Sequence, residues 1–197
     1  MRPDCPYVNI HTHRPAGRGV ELRTAGVHPW EAGRRSVGSL LPLEEGVQAI
    51  GETGLDFACD TPREEQLACF RAQLELARRC GLPVVLHCVR AFGEVMRELN
   101  TLPPRAAIFH GFIGSPEQAR QALQAGWHLS FGKRSFRSPK SVAAMRTTPL
   151  SQLFFETDEG DESIESVYEE AAGRLGVPEP LLRQAAWENY NRIFTEP

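Results

Sequence analysis

Val8-Asn9-Ile10-His11-Thr12-His13 reads as a short apolar strand ending in two histidines one residue apart. Side chains alternate faces along a strand, so His11 and His13 point the same way and can grip a single ion. Val8, Ile10 and Thr12 take the opposite face, as suits a strand packed beneath helices. A His-x-His pair near an N-terminus is common by chance, and it acquires meaning only from what ends the strands that follow.

Outward from this stretch the chain repeats a short apolar strand followed by an amphipathic helix, the pattern of a parallel α/β fold. Further strands are predicted over Val20–Val27, Val47–Ile50, Val84–His87, Ala107–His110, Trp127–Phe131 and Leu153–Asp158. The best-marked helix has Thr61 at its N-cap, Pro62 in its first turn and Glu64 completing a capping box. Leu67, Phe70, Leu74 and Ala77 form its apolar stripe, and Gly81 ends it. Other helices are predicted over 92–100, after the Ser115-Pro116 cap with Gln118 in the box position, and over 139–147. Two more close the chain, separated by Gly176-Val177-Pro178, while residues 31–46 have room for a short helix and 132–137 read as a basic loop.

An eight-unit (β/α) barrel takes about 250 residues, or about 200 at the low end. A chain of 197 residues with this pattern therefore predicts a trimmed barrel, reduced near the N-terminus. Only six residues separate His13 from Val20. Parallel neighbours usually need a dozen or more for a crossover helix. The second strand is thus either reached by a bare return segment or is not parallel.

With no internal repeat or linker, residues 1–197 are expected to form a single domain. Net charge is −3, with 41% hydrophobic and 24% charged residues, so nothing in the bulk composition draws the chain to nucleic acid. No apolar run approaches the ~20 residues of a membrane span, and Met1–Cys5 lacks the apolar core of a signal peptide. Five cysteines without C-x-x-C spacing read as reduced thiols in a cytoplasmic protein.

Glu52, His87, His110 and Asp158 each stand at or just past the C-terminal end of a predicted strand. In barrels that rim carries the active site. With His11 and His13 it holds four imidazoles and two carboxylates, a donor set for one or two divalent ions such as zinc, manganese, iron or nickel. His28 follows a strand and suits a supporting or substrate contact, or a turn. His128, at the start of its strand, reads as structural. Glu156 shares a strand face with Asp158 and either points into the site or neutralises a buried arginine, the support role being preferred. Lys133, Arg134, Arg137 and Lys140 are placed to meet phosphates, or to form a solvated basic loop.

The series His11-x-His13, Gly26-Val27-His28-Pro29, Gly51-Glu52-x-Gly54-Leu55-Asp56, Pro83-Val84-Val85-Leu86-His87, His110-Gly111-Phe112-x-Gly114 and Glu156-Thr157-Asp158 resembles the TatD family of metal-dependent hydrolases. Gln66, Phe70, Gln73, Leu74, Ala77 and the segment from Asn189 to Phe194 fit the same pattern. The resemblance implies a TIM-barrel-like, amidohydrolase-type fold and a metal-dependent deoxyribonuclease with DNA as partner. It assigns His11, His13 and Asp158 to one divalent ion, His87 and His110 to a second, and Glu52 to both; zinc, manganese, magnesium, nickel and iron are the candidates. Three departures stand out. The segment between His13 and Val20 is short, the arginine after His87 falls one residue late at Arg90, and Glu159-Gly160-Asp161 replaces the family's Pro-Tyr-Leu.

Such a site implies a metal-activated water attacking a phosphodiester, with Asp158 and Glu52 as the catalytic carboxylates and Asp158 accepting the proton. His28, Arg90, Lys133 and Arg134 are the expected substrate contacts. The same metals would also serve hydrolysis of a small amide, lactone or phosphate ester. A binding protein on a degenerate barrel is the reading from another class, and the complete donor set argues against it.

Overall fold

The computed structural model describes residues 5–195; Met1–Asp4, read above for a leader, and the last two residues lie outside the described residues. In chain order the strands are β1 (Val8–Asn9), β2 (Val20–Glu21), β3 (Thr24–Ala25), β4 (Ala49–Asp56), β5 (Val84–Val89), β6 (Ala107–Phe109), β7 (His128–Phe131) and β8 (Leu153–Phe155). The helices are α1 (Arg63–Cys80), α2 (Phe92–Thr101), α3 (Pro116–Gln124), α4 (Lys133–Phe136), α5 (Pro139–Thr147), α6 (Ile164–Leu175) and α7 (Glu179–Tyr190). Short 3₁₀ turns at Pro29–Glu31 and Val37–Leu40 occupy the mixed region. The chain divides into two compact units, one joining the N-terminal stretch through Leu22 to everything from His110 onward, the other running Arg23–Phe109.

In the Arg23–Phe109 unit, β3, β4, β5 and β6 are parallel neighbours in that order. Ile50, Leu55, Val84, Leu86 and Phe109 are buried from the strands, and Phe70, Leu74, Leu76, Val95 and Leu99 from α1 and α2. The β4–β5 register runs Ile50↔Val84 and then Thr53↔Leu86, so β4 carries one extra residue at Gly51–Glu52. This is a β-bulge, a device that breaks the period-2 alternation and re-aims a side chain. It corrects the predicted strand end at Ile50: β4 continues through Glu52 to Asp56, and Glu52 lies inside the strand.

Helix α1 follows the predicted stripe and ends at Gly81 in the left-handed region (φ +66°), where glycine carries no steric cost. Its predicted capping box does not form. Pro62 takes the cap position without a side-chain bond, and the Thr61 hydroxyl donates to the Trp30 carbonyl at 3.2 Å instead. Two buried glutamines on α1 act as backbone mimics. Gln73 accepts from Val27 N (2.7 Å) and donates to Val27 O (2.9 Å), and Gln66 does the same for Asp56 (2.8 and 2.9 Å).

In the other unit β1 and β2 are parallel, in the register Val8↔Val20 and Asn9↔Glu21. The return segment is therefore bare, and the alternative of a non-parallel second strand falls. The predicted strand Val20–Val27 is two pieces, with β2 pairing here and β3 belonging to the first unit's sheet. β7 and β8 are parallel neighbours, and Ile10 N donates to Phe155 O (3.1 Å), which brings the first strand beside β8. Tyr168 of α6 is fully buried and donates to Val8 O at 2.9 Å; burial raises its phenol pKa. The Ser115 capping box forms in full, with Gln118 answering the cap. The predicted basic loop is a single helical turn, α4, with Lys133 and Arg134 exposed.

Candidate functional site

In the unit that begins the chain, backbone pairing does the positioning. Thr12 bridges Asp158 in parallel, Asp158 N donates to His11 O (3.1 Å), and His13 N donates to Asp158 O (3.0 Å). This zips His11-Thr12-His13 onto the chain just beyond β8. Asp158 adopts φ +54°, a left-handed conformation in which aspartate is among the more tolerant residues. His11 Nε2 and His13 Nε2 each lie 3.7 Å from Asp158 Oδ1. Two atoms each about 2.1 Å from a tetrahedral ion sit about 3.4 Å apart, so this triad is near ligation spacing as it stands.

His110 follows β6 and stacks on His11 with ring centroids 4.4 Å apart. Its Nδ1 lies 3.3 Å from Glu156 Oε1. Glu156 is 0% exposed, and its second oxygen, Oε2, is buried without a hydrogen-bond partner. Burial pushes this carboxyl's pKa up, but the charge and hydrogen bond of His110 and the charge of His11 outweigh it, and the net shift is downward. The reading of Glu156 as partner to a buried arginine is thus corrected: its partners are histidines. Gly132 crowds it from behind, since a Cβ there would sit 2.8 Å from the Glu156 carbonyl oxygen. Arg134 reaches to 3.8 Å from Asp158 Oδ2.

In the Arg23–Phe109 unit the donors come from adjacent strands. Gly54 pairs with His87 across β4–β5. Glu52 Oε1, delivered by the bulge, lies 2.5 Å from His87 Nδ1 and 3.5 Å from His28 Nε2. His87 Nε2 lies 3.2 Å from Asp56 Oδ2. His87 therefore has a carboxylate at each ring nitrogen, and Asp56 stands at Nε2 where the orienting carboxylate of a ligating histidine is usually found. Asp56 also accepts from Trp30 Nε1 (2.7 Å) and Ala58 N (2.9 Å). Burial alone would raise its pKa, and these donors together with His87 hold it below the ordinary value. His28 Nδ1 accepts the Trp30 backbone N–H at 3.2 Å. In a neutral ring this leaves the proton on Nε2, making His28 a donor toward Glu52 and His87.

His87 lies within β5 and not at its end, which corrects its predicted place at the strand terminus. Arg90 follows β5, exposed and at φ +52°, and Lys133 is exposed on α4. Neither is seen in contact with the donors. The roles of Asp56, which closes the Gly51–Asp56 motif, and of Trp30 carry no local signal in sequence, because the contacts that define them span 31 and 26 residues.

Imidazole with carboxylate is the donor chemistry of first-row divalent ions. Among the described residues, His11–His13–Asp158, His110–Glu156–Asp158 and His28–Glu52–His87 each bring three such donor atoms within 4.8 Å of one another. The comparison with known proteins agrees with this chemistry: residues 18–195 match the family described as TatD related DNase. The chain belongs to the TatD family. The crystal structure of the TatD homologue YjjV from Escherichia coli superposes with a TM-score of 0.79 at 28% identity, over 89% of this chain and 77% of that one. The fold is therefore the TIM-barrel-like α/β fold of TatD-type hydrolases. In sequence, the chain is 34% identical over 147 residues to the E. coli protein named uncharacterized metal-dependent hydrolase YjjV, covering 69% of this chain and 57% of that protein. It is 37% identical over 165 residues to the 3'-5' ssDNA/RNA exonuclease TatD of Erwinia billingiae, covering 76% and 60%. The chain thus spans 57% and 60% of the length of these TatD relatives.

Proposed function

We propose that this chain is a metal-dependent hydrolase that cleaves phosphodiester bonds in DNA, with residues 1–197 acting as one catalytic domain. The observation that carries the reading is repeated in both units. In each, a histidine is presented by a buried carboxylate on its far nitrogen, His87 by Asp56 and His110 by Glu156. That arrangement holds a ring in one tautomer and has most value where the other nitrogen binds a cation. The proposed metal ligands are His11, His13, His110 and Asp158 in one unit and Glu52 and His87 in the other.

Divalent ions bound to these residues supply a water of lowered pKa and positive charge for the phosphoryl oxygens. The chain's own groups do the rest. Asp158 turns Oδ1 toward both histidines, which leaves Oδ2 to accept the proton of the attacking water. His28 offers Nε2–H to a phosphoryl oxygen. Arg134, exposed beside Asp158, and Lys133 on the same turn bind flanking phosphates, the arginine as a fork and the lysine as a point charge. Arg90 is the corresponding contact after β5. All five cysteines are free, which suits a reducing compartment, and we place the protein in the cytoplasm. Among the described residues no helix is long and apolar enough to cross a membrane.

The test pairs elemental analysis with cleavage of single- and double-stranded oligonucleotides across added manganese, magnesium and zinc. A panel of small esters, lactones and amides runs alongside. Wild type should cleave oligonucleotides only with metal, while Glu52→Ala and Asp158→Ala fall to background with unchanged circular dichroism. Metal-dependent turnover retained by either variant on any substrate would refute the ligand assignment. Turnover confined to the small-molecule panel would replace DNA as the substrate.

A further inference from the structure

Beside the His28–Glu52–His87 donors stands a large aromatic side chain that the proposed chemistry does not use. Trp30 is 56% exposed, yet its ring is not loose. Its indole N–H is bonded to Asp56 at 2.7 Å, its backbone N–H to His28, and its carbonyl receives the Thr61 hydroxyl. The ring lies edge-on to His28, with centroids 4.7 Å apart, and 6.3 Å from His87. An exposed tryptophan held in one orientation costs hydrophobic free energy without gaining packing, unless something else covers its face.

Next to it opens a cavity of about 260 Å³, lined by Trp30, Arg34, Cys59, Asp60, Thr61 and Glu65 among others. Its far wall is rigid. The buried Gln66 Nε2, with two protons to give, lies 2.9 Å from Asp56 O, 2.8 Å from Thr61 O and 3.3 Å from Cys59 Sγ, and so ties down the 56–61 loop. The named lining carries one cation against two carboxylates, so it repels a phosphate. The same groups suit a heteroaromatic ring with amino and carbonyl edges. The carboxylates accept from exocyclic N–H groups, Arg34 donates to a carbonyl, and the indole supplies a stacking face.

We infer that this cavity seats an unpaired nucleobase, stacked on Trp30, from a strand whose backbone lies at the His28–Glu52–His87 donors. This subsite rests on the nuclease reading and adds to it the group that recognises a base. Stacking on an aromatic side chain tolerates every base and is lost when the ring is truncated, typically with a drop of roughly fivefold to a hundredfold per base.

The experiment compares kcat/KM for a short oligodeoxycytidylate with that for an abasic phosphodiester chain of equal length. Wild type should prefer the intact strand by that factor. Trp30→Ala should erase the preference, and Trp30→Phe, which keeps a ring but not the N–H, should retain most of it. Binding of the intact strand should quench tryptophan emission in wild type and not in Trp30→Phe, a readout that holds should Trp30→Ala fail to fold. Equal cleavage of both chains by wild type overturns the base subsite and leaves the nuclease reading standing. A preference that Trp30→Ala leaves untouched does the same. Equal loss in Trp30→Ala and Trp30→Phe would assign the residue to positioning Asp56 and overturn the stacking role. If wild type neither cleaves nor binds either chain but turns over a small ester or amide, the nuclease reading fails and the subsite falls with it.

Discussion

The two units present metal donors by different means. In the Arg23–Phe109 unit Glu52, Asp56 and His87 project from inside two long neighbouring strands, and one bulge corrects the aim of Glu52. In the other unit the strands are two to four residues long, and Asp158 and His13 lie beyond them, held by a single bridge and a left-handed residue. A ladder of several residue pairs resists distortion on both sides of its bulge, whereas a bridge resists it at one point. The first unit's donors should therefore depend on close backbone approach within the ladder, and the second's on the buried charges behind them.

Glycine substitutions test the backbone half of that contrast and carry the largest expected effect. Gly54 sits at φ +137°, where a Cβ would lie 2.0 Å from the His87 carbonyl oxygen. Gly54→Ala adds both conformational strain and a clash with backbone that cannot move without breaking the β4–β5 ladder. A loss of at least about 3 kcal/mol is expected. Gly132→Ala has an ordinary backbone and crowds the Glu156 carbonyl at 2.8 Å, so about 1–3 kcal/mol is expected. Urea unfolding of both variants measures the order. A Gly132→Ala cost equal to or above that of Gly54→Ala would remove the distinction.

The orienting carboxylates come next. Asp56→Asn and Glu156→Gln keep the shape and remove the charge behind His87 and His110. Each should weaken divalent-metal affinity about 10- to 100-fold, read by competition with a chromogenic chelator. Glu156→Gln should sit at the upper end. Glu156 is wholly buried and balances His110 and His11, while Asp56 is also held by Trp30 and Ala58. Equal and small effects would mean that the strand ladders alone position the rings.

The same contrast explains what could be read from the sequence. Strands with plain alternation, such as Val84–Val89, and helices whose caps are local, such as Ser115–Gln118, are legible because every interaction that defines them lies within a few residues. Glu52 was legible as a donor but not as a mid-strand residue, because the bulge at Gly51–Glu52 breaks the period on which strand reading depends. Thr61 looks like an N-cap in isolation, but a backbone carbonyl 31 residues away takes its hydroxyl. A support role for Glu156 is legible, but its histidine partner is not, since a carboxylate's neighbour at a separation of 46 residues leaves no local trace. The parallel pairing of β2 was undecidable because bare return segments carry no pattern of their own.

The smallest expected effect lies away from either donor set and calibrates how much an ordinary ion pair adds to the unit of long strands. Glu98 on α2 is buried and takes a two-pronged bond from Arg71, with Nε to Oε2 and Nη2 to Oε1 both at 2.7 Å. The arginine holds this carboxyl below its usual range. A depressed folded-state pKa means that the contribution is complete above the unfolded carboxylate pKa and disappears as pH falls through the lower, folded value. Wild type should thus lose stability across that acidic window, and Glu98→Gln, which does not titrate, should lose less over the same span while starting lower at neutral pH. Because the Arg71 side chain is half exposed, solvent screens the pair. The urea midpoint should move by no more than roughly 0.5 M. Identical acid limbs for wild type and Glu98→Gln would show that the pair contributes nothing to the pH dependence, and that the unit's acid sensitivity resides with Asp56 and its donors.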